Sequence, residues 1–345
     1  MFKEKNQVLF WKHWGSLIDT TKSGPRYLPT ELEIWLTISK NKNLFCFDKS
    51  FIYLLRGKPV AGVFLPIEKQ DKNKTISVAG GYVIAPMTQD KSVEEKIFKA
   101  IDNIAAEHKV GKIMFGIDPL DNNRYNYLQK YNYLDTSMLS YVFDLTKENL
   151  LDSCRRNHKR NIKKIRDNKD FTVFYIDNNS PSYEIHEEYR TLHHKCSGRI
   201  TRSKDTFDAQ YEKLKKGKAV LFGLNFKQKN VAFLYFDYNA DKAVSVSAAD
   251  DPDYDSLPLY HILYYMGMEY LKKAGVCYID TGNPSSPSPQ FDYYPDNKQK
   301  NIALFKRGFG GEYWPYFRGI KYFSREAFKK DMSDFINNFE ISKYE

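Results

Sequence analysis

Two arginines three residues apart, Arg199 and Arg202, stand in a glycine-marked stretch just after a His193-His194 pair. A guanidinium is a planar fork that binds phosphate oxygens two at a time, so the spacing suits a nucleotide or a lipid-linked sugar. It suits equally a capped loop in which the arginines pair with Asp205 or Asp208. The histidines are adjacent on a helix expected over 182–195, and adjacent helical residues point in different directions. Joint metal ligation is therefore not expected; one ring should face the core and the other a cleft, with His194 the candidate substrate contact. Asp280 ends a buried-type strand before Thr281-Gly282, where a carboxylate either deprotonates an acceptor amine or only caps the following loop. Tyr254, Tyr260, Tyr264, Phe291, Tyr293 and Tyr294 offer flat amphipathic surface suited to a sugar face. With 26 tyrosines in the chain most must be core or surface, and Tyr260 is singled out. The sequence has no Ser-His-Asp order, no Walker loop and no metal-ligand spacing, so no metal is expected.

The 345 residues carry a formal net charge of +10, from 53 Lys and Arg against 43 Asp and Glu. Eight basic residues against three aspartates fall between Leu151 and Asp170, and seven against Glu312 alone fall between Lys298 and Arg325. Those two segments account for the whole excess. A basic excess confined to two places reads as an anion-binding surface, with two solvated helix faces as the alternative. At 42% hydrophobic and 28% charged the chain has a globular profile with sequence for about two domains. No apolar run approaches the ~18 residues of a membrane helix, and Lys3, Glu4, Lys5 and Lys12 interrupt any leader core. A cytoplasmic protein is expected. Cys46, Cys154, Cys196 and Cys277 form no C-x-x-C pair, so free thiols are expected.

The elements that would position these groups occur twice. In the first half a hairpin (51–56 and 60–65 around Gly57-Lys58-Pro59) is followed by a strand about 76–84. A helix 92–107 with a Ser92/Glu95 capping box comes next, then a strand 112–117, a short helix ending at Lys130 and a strand 140–145. The second half repeats that order: a hairpin 219–226 and 231–238 around 227–230, a strand 243–249, a helix 258–273, a strand 276–280, a short helix 301–307 and a last strand. Val60-Ala61 matches Val231-Ala232 at an offset of 171, Gly111 matches Gly275 at 164, and Leu128-Gln129-Lys130 matches Phe305-Lys306-Arg307 at 177. Offsets that drift only by loop lengths indicate a duplicated domain. The expected division is 1–150, a connecting segment 151–170, and 171–345. The connector carries a helical stripe of Leu151, Cys154, His158, Ile162 and Ile165, with basic residues on its other faces. Four prolines between Gly282 and Pro295 mark a long loop at the carboxyl end of a strand, a usual place for ligands.

This order is that of the GNAT acyltransferase fold, and two units in tandem resemble the Fem-type (FemABX) aminoacyltransferases: an α/β chain of two tandem GNAT-like domains built on mixed sheets. Arg155-Arg156-Asn157-His158-Lys159-Arg160-Asn161-Ile162 is similar to the family's inter-domain R-N-x-R-x-x-I helix. Leu259-Tyr260-His261-Ile262-Leu263-Tyr264-Tyr265 is similar to the helix after its second central strand. Ile302 to Gly311, with Phe305-Lys306 and Phe309-Gly310, is similar to its F-K-x-x-F-G signature. No long helical arm follows the basic helix, so the compact Fem-like proteins of surface-polysaccharide synthesis are the nearer resemblance.

The resemblance implies an EC 2.3-class transferase that moves an aminoacyl group from aminoacyl-tRNA onto an amine of a peptidoglycan or surface-polysaccharide precursor, with no tightly bound cofactor. It implies Lys306 as the cation at the developing oxyanion, Phe305 as a substrate contact, and Arg156, Arg160 and Lys164 as the donor surface. A nucleotide- or lipid-linked sugar or peptide would be the acceptor, with peripheral contact at the inner membrane face. CoA-dependent relatives grip the pyrophosphate with a glycine-rich turn. Here that stretch is Asp250-Asp251-Pro252-Asp253-Tyr254-Asp255, whose aspartates oppose it. An acetyl-CoA-type N-acyltransferase of amino sugars is the alternative enzyme, and a silent tRNA- or polysaccharide-binding module the alternative of another class.

Overall fold

Residues 1–70, 73–282, 285–287 and 289–339 are described by the computed structural model, which is a mixed α/β chain dividing into two compact units. The first comprises Met1–Leu139, Ser286–Asn301 and Pro315–Glu345; the second comprises Ser140–Ser285 and Ile302–Trp314.

In the first unit the strand Val110–Gly116 is central and is buried along almost its whole length, as an apolar run covered on both faces should be. It runs parallel to Asn73–Ile76 and Val83–Ile84 and antiparallel to Arg318–Tyr322. The helix Glu94–Glu107 packs Ile97, Phe98, Ile101, Ile104 and Ala105 inward, the spacing expected of it. Its start differs from expectation. Asp90 accepts from the Ser92 amide and caps a 3-10 turn Lys91–Val93, so the Ser92/Glu95 box does not form. The single strand expected about 76–84 is split in two. Ala79 and Gly80 take positive φ, and Glu68 accepts both of their amides, turning the chain between the halves.

In the second unit the strands lie in the order Phe171–Ile176, Ala219–Phe226, Lys229–Asn239, Lys242–Asp250, Tyr278–Asp280, Met138–Asp144, Glu312–Tyr316. Side chains alternate between two apolar layers: Val220, Phe222, Leu234 and Phe236 meet the helix Leu259–Lys273, while Leu221, Phe233 and Tyr235 join Tyr189, Leu192, Phe207 and Leu214. The hairpin closes on two residues, Lys227 (φ 48) and Gln228 (φ 67), so its loop is shorter than the four-residue 227–230 turn expected.

The second unit has hairpin, strand, helix and parallel strand in the expected order. The hairpin expected in the first half, Phe51–Leu55 with Lys58–Val63, instead lies in a separate three-stranded sheet with Met87–Thr88, and Pro66–Gln70 is the antiparallel neighbour of Asn73–Ile76 in the seven-stranded sheet. The division does not fall at a single point near residue 150. Met138–Asp144 pairs with Tyr278–Asp280 in the second sheet, and Arg318–Tyr322 pairs with Val110–Gly116 in the first, so each sheet is completed by a strand from the other half of the sequence. Neither strand's partner can be read from a local pattern.

Arg318, 5% exposed, secures its strand. Its Nε and one terminal nitrogen donate to the Thr136 carbonyl (2.9 and 2.8 Å), the latter also pairs with Asp292 (2.5 Å), and the guanidinium lies 4.4 Å from the Tyr82 ring centroid. Removing one partner of a buried pair leaves the other charge desolvated. Arg318→Ala is expected to cost about 3 kcal/mol, read as a lower urea midpoint at unchanged slope.

Candidate functional site

The candidate site is built on one irregularity in the second sheet. Lys229–Asn239 pairs with Lys242–Asp250 along the whole of the latter, but the register shifts between Tyr235 and Phe236, leaving Val246 as a surplus residue. A bulge re-aims everything beyond it. Before it, Ala243 and Ser245 face the helix Leu259–Lys273, with Ser245 Oγ 3.0 Å from Tyr264 Oη. After it, Ala248 and Asp250 face that layer, and Tyr260 Oη donates to Asp250 at 2.9 Å. Ser247 meets Tyr189 of the opposite layer. On its other side Lys242–Asp250 pairs in parallel with Tyr278–Asp280 through three residues only, ending at Val244↔Asp280. Beyond that point Ser245–Asp250 have no strand partner on this side among the described residues, which leaves backbone donors and acceptors available to an extended substrate.

Asp280 and Lys306 meet where the pairing ends. Asp280 is fully buried and accepts from Ser140 Oγ and, at 2.9 Å, from the Gly282 amide. Lys306, 6% exposed, donates to the Thr281 carbonyl at 2.7 Å and more weakly to that of Gly282 at 3.4 Å. Burial pulls its ammonium down to about 8, and the nearby Asp280 charge opposes that fall. Lys306 is thus a buried cation and not a solvated surface lysine. Asp280 is enclosed and holds the Thr281–Gly282 turn, the capping arrangement that was one of its two expected roles, and it favours the charged form of Lys306. Of the proline loop that follows, Asn283, Pro284 and Ser288 lie outside the described residues.

The signature glycines are accounted for by close approach. A Cβ on Gly308 would lie 1.9 Å from His158 Nε2, one on Gly311 2.3 Å from the Val142 carbonyl oxygen, and one on Gly310, at φ +80°, 2.2 Å from the Ser153 carbonyl oxygen. Phe305 packs among His158, His261, Tyr264 and Phe309. Its ring is half-buried in this cluster.

The connecting helix Arg156–Arg166 has the expected stripe: His158, Ile162 and Ile165 are buried, preceded by buried Cys154. His158 Nε2 is 2.9 Å from the Phe305 carbonyl oxygen, and Asn161 meets His261 at 3.2 Å. Arg156, Arg160, Lys163 and Lys164 are exposed, with no ion-pair partner among the described residues.

Arg199 is exposed. Arg202 stacks 4.3 Å over Phe207 and reaches Tyr189 Oη at 3.5 Å and Gln210 at 3.3 Å. Asp208 pairs with Lys204 instead of with either arginine. The His193 and His194 rings both lie against Phe207, so the expected split between core and cleft is not seen. The acidic turn is less repulsive than its sequence suggests, because Lys195 and Lys229 both pair with Asp251 (2.5 and 2.7 Å), holding its carboxyl well below the usual range. Sequence reasoning missed Lys195 and Lys229; a lysine on a neighbouring element leaves no local signal. No cluster of three potential metal ligands occurs among the described residues.

Comparison with solved structures places this architecture. FemX matches with a TM-score of 0.62 over 86% of this chain and 92% of its own, at 13% identity. The chain has a Fem-like tandem GNAT fold. L-PGS from Bacillus licheniformis matches at 0.56 (13% identity, 90% of this chain and 97% of its own), and the C-terminal domain of a putative lysylphosphatidylglycerol synthetase from Agrobacterium fabrum at 0.60 (11% identity, 95% and 96%). No family model matches the sequence, and no curated protein matches it. At such identities the likeness is one of fold.

Burial holds His186, His193 and His261 down to about 4. His186 is fully buried, and neither ring nitrogen has a hydrogen-bond partner among the described residues. The unfolded chain takes up these protons near the ordinary 6.5 and the folded one only near 4, so stability is fully present above about pH 6.5 and is lost as pH falls towards 4. His186→Leu is expected to flatten that acid limb in urea midpoints measured from pH 7 to 4.

Proposed function

We propose that this chain is a transferase that moves an aminoacyl group from aminoacyl-tRNA onto an amine of a cell-envelope precursor, with the chemistry at the half-paired strand of the second unit. The observation that carries the reading is the buried Lys306 ammonium held where the parallel pairing ends, on the fold of FemX and of proteins named for lysylphosphatidylglycerol synthesis. In such a transfer the amine nitrogen attacks the ester carbonyl, a tetrahedral oxyanion forms, and the ester C–O bond breaks as the amine's proton passes to the departing hydroxyl. A cation fixed in a low-dielectric setting favours the oxyanion without reorganising. Lys306 has that setting, and Asp280 keeps it charged.

The unpaired cations of Arg156–Arg166 would hold the donor's phosphates. The acceptor would lie towards Tyr260 and the Arg199 and Arg202 stretch. No helix among the described residues is long and apolar enough to cross a membrane, and the proposed place of work is the inner face of the membrane, by peripheral contact. Acyl-CoA as donor is the second reading, favoured by the pairing of Asp251 with two lysines.

The test mixes purified protein with charged tRNA or labelled acyl-CoA and an amino-sugar or lipid-linked acceptor. With tRNA, log K should fall linearly with log salt at roughly 0.7 to 0.9 per phosphate contacted. Charge reversal at Arg156, Arg160 and Lys164 should flatten that slope without unfolding the chain. Lys306→Ala should slow the chemical step about a hundredfold with little change in acceptor binding, and the wild-type rate should decline as pH rises through about 8, where Lys306 loses its proton. Turnover that survives RNase and the triple reversal but needs a CoA thioester moves the assignment to the acyl-CoA reading. Binding without turnover moves it to the silent module.

A further inference from the structure

The first unit contains a cavity of about 340 Å³ to which the transferase reading gives no role. That volume lies at the lower end of the ~300–1,000 Å³ range of small-molecule pockets. One wall is a face of the sheet, with Thr75, Lys112, Met114 and Ile320; the others are Phe291 and Tyr294 of the loop and Phe335 of the last helix, Arg325–Asn338. Phe291 and Phe335 stack at 5.4 Å, and Tyr294 Oη donates to the Phe291 carbonyl at 2.6 Å, so the aromatic wall is fixed.

The lining charges do not balance. Asp331 is paired with Lys112 at 2.6 Å, and Asp292 with Arg318 at 2.5 Å. Glu68 and Asp334 remain. Glu68 is 2% exposed, and its two oxygens accept from Ser39 and Ser77 hydroxyls and the Ala79 and Gly80 amides. Four neutral donors hold it in place without cancelling its charge, since no cation among the described residues pairs with it. Asp334, on the exposed side of the last helix, also lacks an ion-pair partner among the described residues. A buried carboxylate without a counter-charge, facing a cavity walled by aromatic rings, creates a negative field in which an organic cation gains from charge and from the ring faces together. An anion is repelled there, and a neutral body gains only from the apolar wall.

We infer that this cavity is a binding site for a small organic cation, a primary ammonium on an apolar body, distinct from the transfer site in the second unit. The inference does not rest on the transferase reading, and its test is binding, read without turnover.

Three probes of matched length but different charge separate the contributions: hexylammonium, hexanol and hexanoate, titrated into the full chain by calorimetry and by chemical-shift changes. Hexylammonium is expected to saturate one site, to bind at least about tenfold more tightly than hexanoate, and to weaken as salt rises. Asp334→Asn should weaken hexylammonium about two- to fivefold, in keeping with one partly exposed charge, and leave hexanol unchanged. Met114→Trp, which fills the cavity, should abolish binding of hexylammonium and hexanol alike. Phe335→Ala, which opens the aromatic wall at a half-buried position, serves the same purpose if Met114→Trp does not fold. Equal binding of hexanoate and hexylammonium, or hexylammonium binding that both cavity variants leave intact, overturns the assignment.

Discussion

In an antiparallel pair, a surplus residue on one strand reverses which side chains face which layer beyond it. Val246 is that residue, and the candidate site follows from it. Without the shift Ser245 and Ser247 would face one layer; with it they bond to Tyr264 and Tyr189 on opposite sides of the sheet, and Asp250 comes round to Tyr260. Such a bend also accounts for the end of the parallel ladder at Val244↔Asp280, because a re-aimed strand cannot stay in register with a straight neighbour. The opening is the geometric remainder of one unmatched residue.

Lys306 depends on the same place. An ammonium with 6% exposure needs acceptors, and the Thr281 and Gly282 carbonyls, having left the ladder, supply them. The glycines that follow let the chain turn tightly against Ser153, His158 and Val142, which brings the helix end down onto that turn. The signature is thus read as a packing requirement first, with the ammonium's position as its result.

Much of this was legible in the sequence where a period carried it. The 3.6-residue stripe of the connecting helix and the apolar spacing of Glu94–Glu107 are patterns that burial alone produces. What escaped was non-local. Lys306 at the end of a short helix looks the same in sequence whether it meets water or carbonyls. Asp251 looked repulsive until Lys195 and Lys229, far along the chain, were seen to neutralise it. The bulge hides because Ser, Val and Ala around it suit either register. His193 and His194 were given opposite surroundings from helix geometry, but the single ring of Phe207 is broad enough to touch both.

The exchange of strands bears on how the chain is made. When Leu139 has left the ribosome, the first sheet still lacks the strand that lies between Val110–Gly116 and Leu134–Asp135, for that place is taken by Arg318–Tyr322. At about 5–20 residues per second, some 10–40 s of synthesis separate the two. Through that interval the edge of Val110–Gly116 is an unpaired, apolar template of the kind that recruits foreign strands. The nascent chain must therefore be shielded there, and a fragment cut near residue 150 would carry the exposed edge permanently.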